Sequence, residues 1–123
     1  MGFAGTVRRA VAQAPVTHMD ETGTRVEGTL HWLHVACTTL LTCFWVGAGR
    51  GDVMRDATGI AVHDFWKPYF SIPGVQHALC VAHILRELEN RVEGDDETWA
   101  KDLAAVLRDA IHRYHKADGQ PLP

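Results

Sequence analysis

The stretch Val16 to Val46, VTHMDETGTRVEGTLHWLHVACTTLLTCFWV, decides the fold class. It is rich in the β-branched and aromatic residues that suit a pleated, half-buried surface. Val16 to Met19 reads as a short strand running into Asp20-Glu21-Thr22-Gly23, a turn by composition. Arg25 to Glu27 begins a return strand, which Gly28 breaks. Leu30 to Ala36 and Thr38 to Val46 are the next two strand-forming runs. Short connections favour pairing between neighbours, so the stretch predicts a three-stranded antiparallel meander. The Gly-rich run from Gly47 to Gly51 ends it.

Upstream, Phe3 to Ala14 is Ala-rich and reads as a short helix or a frayed end, stopped by Pro15. Downstream, Asp52 to Ala57 predicts one or two helical turns. Ile60 to His63 is a fourth short strand that delivers Asp64 at its end. Phe65 to Phe70 is aromatic, irregular or helical, with Pro68 inside it, and Pro73-Gly74 makes a turn. Val75 to Leu79 predicts a fifth strand, followed by a helix from about Cys80 to Glu93, with a break at Gly94-Asp95-Asp96. Trp99, Leu103, Val106, Leu107, Ala110, Ile111 and Tyr114 then recur as the apolar stripe of an amphipathic helix. Strands first, then a strand–helix unit, then a helix: the order predicts an α/β layer arrangement with a mixed sheet.

With 123 residues the chain is one domain or part of one, long enough for a real core. Apolar content of 46% and charged content of 22% are ordinary for a globular protein. A net charge of −3 gives no electrostatic signal for nucleic acid, since DNA affinity rests on Lys and Arg neutralising phosphates. It does suit a site holding divalent cations. Cys37, Cys43 and Cys80 follow no disulfide spacing and no signal peptide is present, which points to a reducing cytoplasm. The apolar run Leu30 to Val46 is interrupted by His31, His34 and threonines and falls short of the ~20 residues that span a bilayer. No membrane partner is expected.

Two acids draw the chemistry. Asp20 lies at the end of an apolar strand, where a rigid backbone can project a carboxylate into a site; its bland reading is a turn residue bonded to nearby backbone N–H groups. Asp64 repeats the situation at the end of Ile60 to His63, with helix capping as its bland reading. Two carboxylates from two strand ends can converge on one hard cation. His77, Cys80 and His83 form another cluster. A structural zinc site needs four ligands, and the remote His112 and His115 supply no second paired motif, so Cys80 reads more simply as a small buried residue and His83 as a packing or hydrogen-bonding one at the start of a helix. Arg86-Glu87-Leu88-Glu89 reads as a solvated helix face with local ion pairs. The glycine-rich run ending in Arg50 and Gly51 matches no phosphate-loop pattern and reads as a connection.

Taken together, HMDETGTRVEGTLHWLHVACTTLLT (18–42), Arg50-Gly51, AVHDFWKPYF (61–70), HALCVAHILRELE (77–89) and the tryptophan-led helix resemble the transposases of the insertion-sequence-66 family. The resemblance runs from about Val16 to about Leu107. It implies an incomplete ribonuclease-H-like catalytic domain, a mixed sheet with flanking helices, over residues 15–94. Residues 1–14 precede it, and 95–123 hold an amphipathic helix and tail. It implies a DDE triad in which Asp20 is the first acid and Asp64 the second, both of them ligands for Mg²⁺ or Mn²⁺. Cys80 and His83 match the Cys-x-x-His signature, with a supporting role. The helix from about Thr98 to Tyr114 resembles the start of the insertion between the second acid and the third. The implied reaction is two-metal phosphoryl transfer, cutting the transposon end and joining it to target DNA. Implied partners are transposon-end and target DNA and further transposase subunits, in the bacterial cytoplasm at the nucleoid.

The sequence departs from that pattern in three places. The third acid, a Glu in an Asn-rich stretch beyond the insertion, is absent, and Glu87 and Glu89 are weak substitutes. The segment between Met54 and Ala61 is shortened, as is the one before Arg50. The upstream region that binds transposon ends is missing. The expectation is therefore a copy truncated at both ends and inactive alone. Two other readings stay open: a non-catalytic DNA-associated or interaction module derived from a transposase, and a small zinc protein using His77, Cys80 and His83.

Overall fold

The computed structural model describes residues 1–95, 97–118 and 120. Helix α1 (Phe3–Ala12) leads into strands β1 (Val16–Val26), β2 (Thr29–Cys37) and β3 (Thr42–Gly47). Strand β4 (Ile60–His63), a 3-10 turn (Lys67–Ser71) and strand β5 (Gln76–Leu79) follow, then helices α2 (Val81–Asp95) and α3 (Thr98–Lys116). The five strands form one sheet in the order β3-β2-β1-β4-β5. The meander β1-β2-β3 is antiparallel, as its short connections demand, and β4 and β5 add in parallel. The expected mixed α/β sheet is the one observed.

The chain forms two compact units, Met1–Leu79 and the segment from Cys80 onward. In the first, α1 buries Val11 and Ala12 with Met19 of β1, Ala36 of β2, Cys43 of β3 and Ala61 of β4. Met54, Tyr69 and Ile72, from the connections around β4, complete this core. Thr17, buried on the same face, donates its hydroxyl to the Val11 carbonyl at 2.8 Å and so ties the helix end to β1. Gly59 passes so close to the α1–β1 connection that a Cβ there would lie 2.3 Å from the Pro15 carbonyl oxygen. In the second unit, Leu88 of α2 packs with Ala100 and Ala104 of α3, small residues that let two helices approach. Glu89 and Arg108 form an ion pair between the same two helices.

Three local expectations are corrected. Asp20 to Gly23 is no turn: β1 runs straight through it, because Asp20, Glu21, Thr22 and Gly23 pair with Val35, His34, Leu33 and Trp32 of β2. Partners on a neighbouring strand outweigh local turn chemistry. The reversal falls at Glu27-Gly28, whose φ values of 50° and 80° are the left-handed pair of a two-residue hairpin turn. Asp52 to Ala57 forms no helix. Its Val53, Met54 and Ala57 are instead drawn into the core, and the Asp52 carboxylate accepts the Gly49 N–H. Strand β3 starts at Thr42 rather than Thr38, since the Thr38 hydroxyl accepts the N–H groups of Leu40 and Leu41 and folds that segment into the connection. The break expected at Gly94-Asp95-Asp96 falls partly outside the described residues, and α2 continues through Gly94 to Asp95.

Candidate active site: paired acids on adjacent strands

Strands β1 and β4 are parallel neighbours, with Val16 opposite Ile60, Thr17 opposite Ala61 and His18 opposite Val62. Residues opposite one another in a parallel pair project to the same face. Thr17, Met19, Ala61 and His63 take the buried face, so the alternate residues His18 and Val62 take the other. Continued by one pleat, the same register sets Asp20 level with Asp64 and on that second face. Their carboxylate oxygens lie within 4.8 Å of one another. Asp20 reaches this position from the middle of a long strand, and Asp64 from the residue just past the end of a short one.

Each acid also accepts a nearby backbone N–H, although Asp20 lies in no turn and Asp64 caps no helix. Asp64 Oδ1 accepts the Trp66 backbone N–H at 2.8 Å, fixing the start of the aromatic segment. Asp20 Oδ1 accepts the Glu21 N–H at 2.9 Å. Neither contact removes a carboxylate from cation binding, because an ionised carboxylate has about four lone-pair sites. A cleft of about 180 Å³ opens beside Asp20, bounded by Glu21, Thr22, Leu33, Val35 and Phe44.

On the core side, Glu21 continues the alternation of Thr17 and Met19, and its side chain is only 2% exposed. Glu21 Oε1 accepts from Arg50 Nε at 3.0 Å and Arg50 Nη2 at 2.8 Å, while Oε2 accepts from the Tyr69 hydroxyl. The Arg50 guanidinium lies over the rings of Trp66, at 4.1 Å, and Trp32, at 5.0 Å. Burial, reinforced by the hydrogen bond to Glu21 and the negative charges of Glu21, Asp20 and Asp64, holds the Tyr69 phenol far above its ordinary pKa. Tyr69 is thus a proton donor at any physiological pH. His63, fully buried, stacks on Tyr69 and sets Nδ1 2.6 Å from the Asp64 carbonyl and Nε2 2.8 Å from His77 Nδ1.

Within the first unit the structure brings Asp20 and Asp64 together. Cys80, half-buried just before α2, His83, half-buried in its first turn, and exposed Glu87 and Glu89 belong to the second unit. Glu89 is occupied by Arg108. His77 is hydrogen bonded to His63, a use that competes with the zinc-ligand role. Sequence reasoning missed Glu21 and Tyr69 and read Arg50 as part of a plain loop. The signal for Glu21 was its place on the core side of an apolar alternation, where an acid requires partners.

The acid pair suits a hard divalent ion. Oxygen ligands of one octahedral Mg²⁺ at about 2.1 Å stand no more than about 4.2 Å apart, so carboxylates within 4.8 Å need at most a small rotamer change to share an ion. Carboxylate oxygen is also the donor that Mg²⁺ and Mn²⁺ prefer.

A mixed five-stranded sheet with three helices and two acids close together, one on β1 and one directly after β4, defines an α/β domain compatible with the ribonuclease-H-like fold of transposases. The family model described as Transposase IS66 family matches residues 2–121, and the chain belongs to that family. Its general role is that of a transposase in DNA transposition. No curated protein and no solved structure matches the chain. Among the described residues, no helix is long and apolar enough to cross a membrane.

Proposed function

We propose that the chain is the part of a DDE transposase that contributes the first two acids of the triad, Asp20 and Asp64, to divalent-cation-dependent cleavage and joining of DNA strands. The observation that carries this reading is the placement of both carboxylates on one sheet face, within 4.8 Å. Asp20, carried within a paired strand, and Asp64, directly following one, give such a site preorganised charge. Asp64 is oriented by the Trp66 N–H and Asp20 by the Glu21 N–H. When bound there, Mg²⁺ or Mn²⁺ supplies Lewis acidity at the scissile phosphate and eases deprotonation of the attacking hydroxyl. Cys80 and His83 are proposed as supporting residues, transposon-end and target DNA as substrates, and further transposase subunits as partners. The bacterial cytoplasm, at the nucleoid, is the proposed compartment.

Two carboxylates hold a divalent ion more loosely than three, so the chain alone is expected to bind Mn²⁺ weakly and to perform no strand transfer. Calorimetric Mn²⁺ titration of the wild type, Asp20→Asn and Asp64→Asn tests the reading. Weak binding abolished by either substitution supports it. Equal Mn²⁺ uptake by all three proteins, or none by the wild type, rules it out.

A further inference from the structure

The register of β1 and β4 poses a physical question: what holds Asp20 and Asp64 together? The paired residues run from Val16 opposite Ile60 to His18 opposite Val62, and stop two residues short of both acids. β4 itself ends at His63, so Asp64 already belongs to the connection that follows. On its other edge β4 is paired with β5 as far as His63 opposite Leu79, which holds Asp64 toward β5 but not toward β1.

The tie is on the opposite face of the sheet. Glu21 is one peptide bond from Asp20 and projects the other way. Its two carboxylate oxygens engage Tyr69 and Arg50. Tyr69 lies in the 3-10 turn that begins three residues after Asp64. Arg50 packs its guanidinium on Trp66, whose backbone N–H holds Asp64 Oδ1. Tyr69 and Trp66 also meet edge to face, with ring centroids 5.8 Å apart. Two paths thus join the backbone at Asp20 to the backbone just after Asp64, one through the phenol and one through the stacked guanidinium.

We infer that Glu21, Arg50 and Tyr69 form a positioning clamp that fixes the spacing of the two acids by joining β1 to the segment following β4. The inference rests on Asp20 and Asp64 being the cation-binding acids. None of the three clamp residues is one of the acids that would hold the cation. They act through backbone placement, as charge-assisted hydrogen bonds of fixed geometry can. Arg50 is required as arginine, because its planar fork both donates to Glu21 from two nitrogens and stacks on Trp66, which a lysine ammonium cannot do.

The test separates position from stability. Mn²⁺ affinity is measured by electron paramagnetic resonance of the free ion, and thermal midpoint by circular dichroism, on the full chain carrying Arg50→Lys, Tyr69→Phe or Val11→Ala. Val11 is a core residue outside the clamp, so its truncation supplies a stability loss unrelated to the acids. The clamp predicts that Arg50→Lys and Tyr69→Phe each weaken Mn²⁺ binding about tenfold while the protein stays folded, and that Val11→Ala lowers the midpoint without changing affinity. Wild-type affinity in both clamp variants overturns the inference, as does an affinity loss in Val11→Ala matching theirs. Asp20→Asn and Asp64→Asn are run alongside: if they leave Mn²⁺ binding intact, the cation-site reading itself fails, which is distinguishable from failure of the clamp alone.

Discussion

Arg50 Nη2 donates to Glu21 Oε1 at 2.8 Å, joining a loop cation to a carboxylate that is almost wholly withdrawn from solvent. An acid in that position is tolerated only when paired and hydrogen bonded. Its partners, Arg50 and Tyr69, are therefore structural requirements of β1 as well as neighbours of the acid pair.

Arg50→Ala is the direct stability test. Removing one partner of a fully buried pair costs about 3–5 kcal/mol, but the Arg50 side chain is 40% exposed, and solvent screening reduces the expected loss to about 2 kcal/mol. Urea unfolding should show a lower midpoint at unchanged slope. A midpoint equal to that of the wild type would mean that water replaces the guanidinium without cost.

Tyr69 sets an alkaline limit. Its phenol is held protonated in the folded state, burial being the main cause, while in the unfolded chain it ionises near pH 10. The folded value is the raised one, so this contribution is complete below about pH 10 and declines as pH rises beyond it, because only the unfolded state releases the proton. Unfolding free energy measured from pH 8 to 11 should fall more steeply for the wild type than for Tyr69→Phe. Parallel curves would contradict the buried, donating phenol.

Gly59 and Gly51 form a matched pair. A Cβ at Gly59 would sit 2.3 Å from the Pro15 carbonyl oxygen, and backbone must move to admit it, whereas a Cβ at Gly51 meets nothing within 4 Å. Gly59→Ala is expected to destabilise by about 2 kcal/mol or more, and Gly51→Ala by no more than about 0.5 kcal/mol. Thermal unfolding of the two proteins side by side decides it, and equal midpoints would show that the close approach is absent.

Burial pushes the Cys43 thiol upward and Arg8 only partly offsets it. The thiolate is the reactive form, so Cys43 should be the slowest of the three cysteines to react with an aromatic disulfide reagent at pH 8, behind half-buried Cys37 and Cys80. Mass mapping that finds Cys43 labelled first would contradict its place in the core.

Much of the fold was legible because its signals are local. The meander, the strand before Asp64, the strand–helix unit after Pro73-Gly74 and the amphipathic α3 all follow from residue type and periodicity within short windows. The stretch Asp20 to Gly23 was misread for the same reason: its composition is that of a turn, and only the ladder to β2, whose partner residues arrive later in the chain, keeps it extended. Both acids read from sequence as strand ends; Asp64 does follow β4 directly, whereas Asp20 lies within β1. The clamp was not legible, because Glu21 meets Arg50 across 29 residues and Tyr69 across 48, and no local pattern encodes such a meeting.

A shared cation centre requires the neighbouring Asp20 and Asp64 carboxylates to serve one ion. Anomalous diffraction from a crystal of the chain soaked in Mn²⁺, recorded at the manganese edge, addresses this directly. The predicted result is a peak bounded by oxygens of both Asp20 and Asp64. A peak on one of them alone, or manganese only at other surface carboxylates, would contradict it.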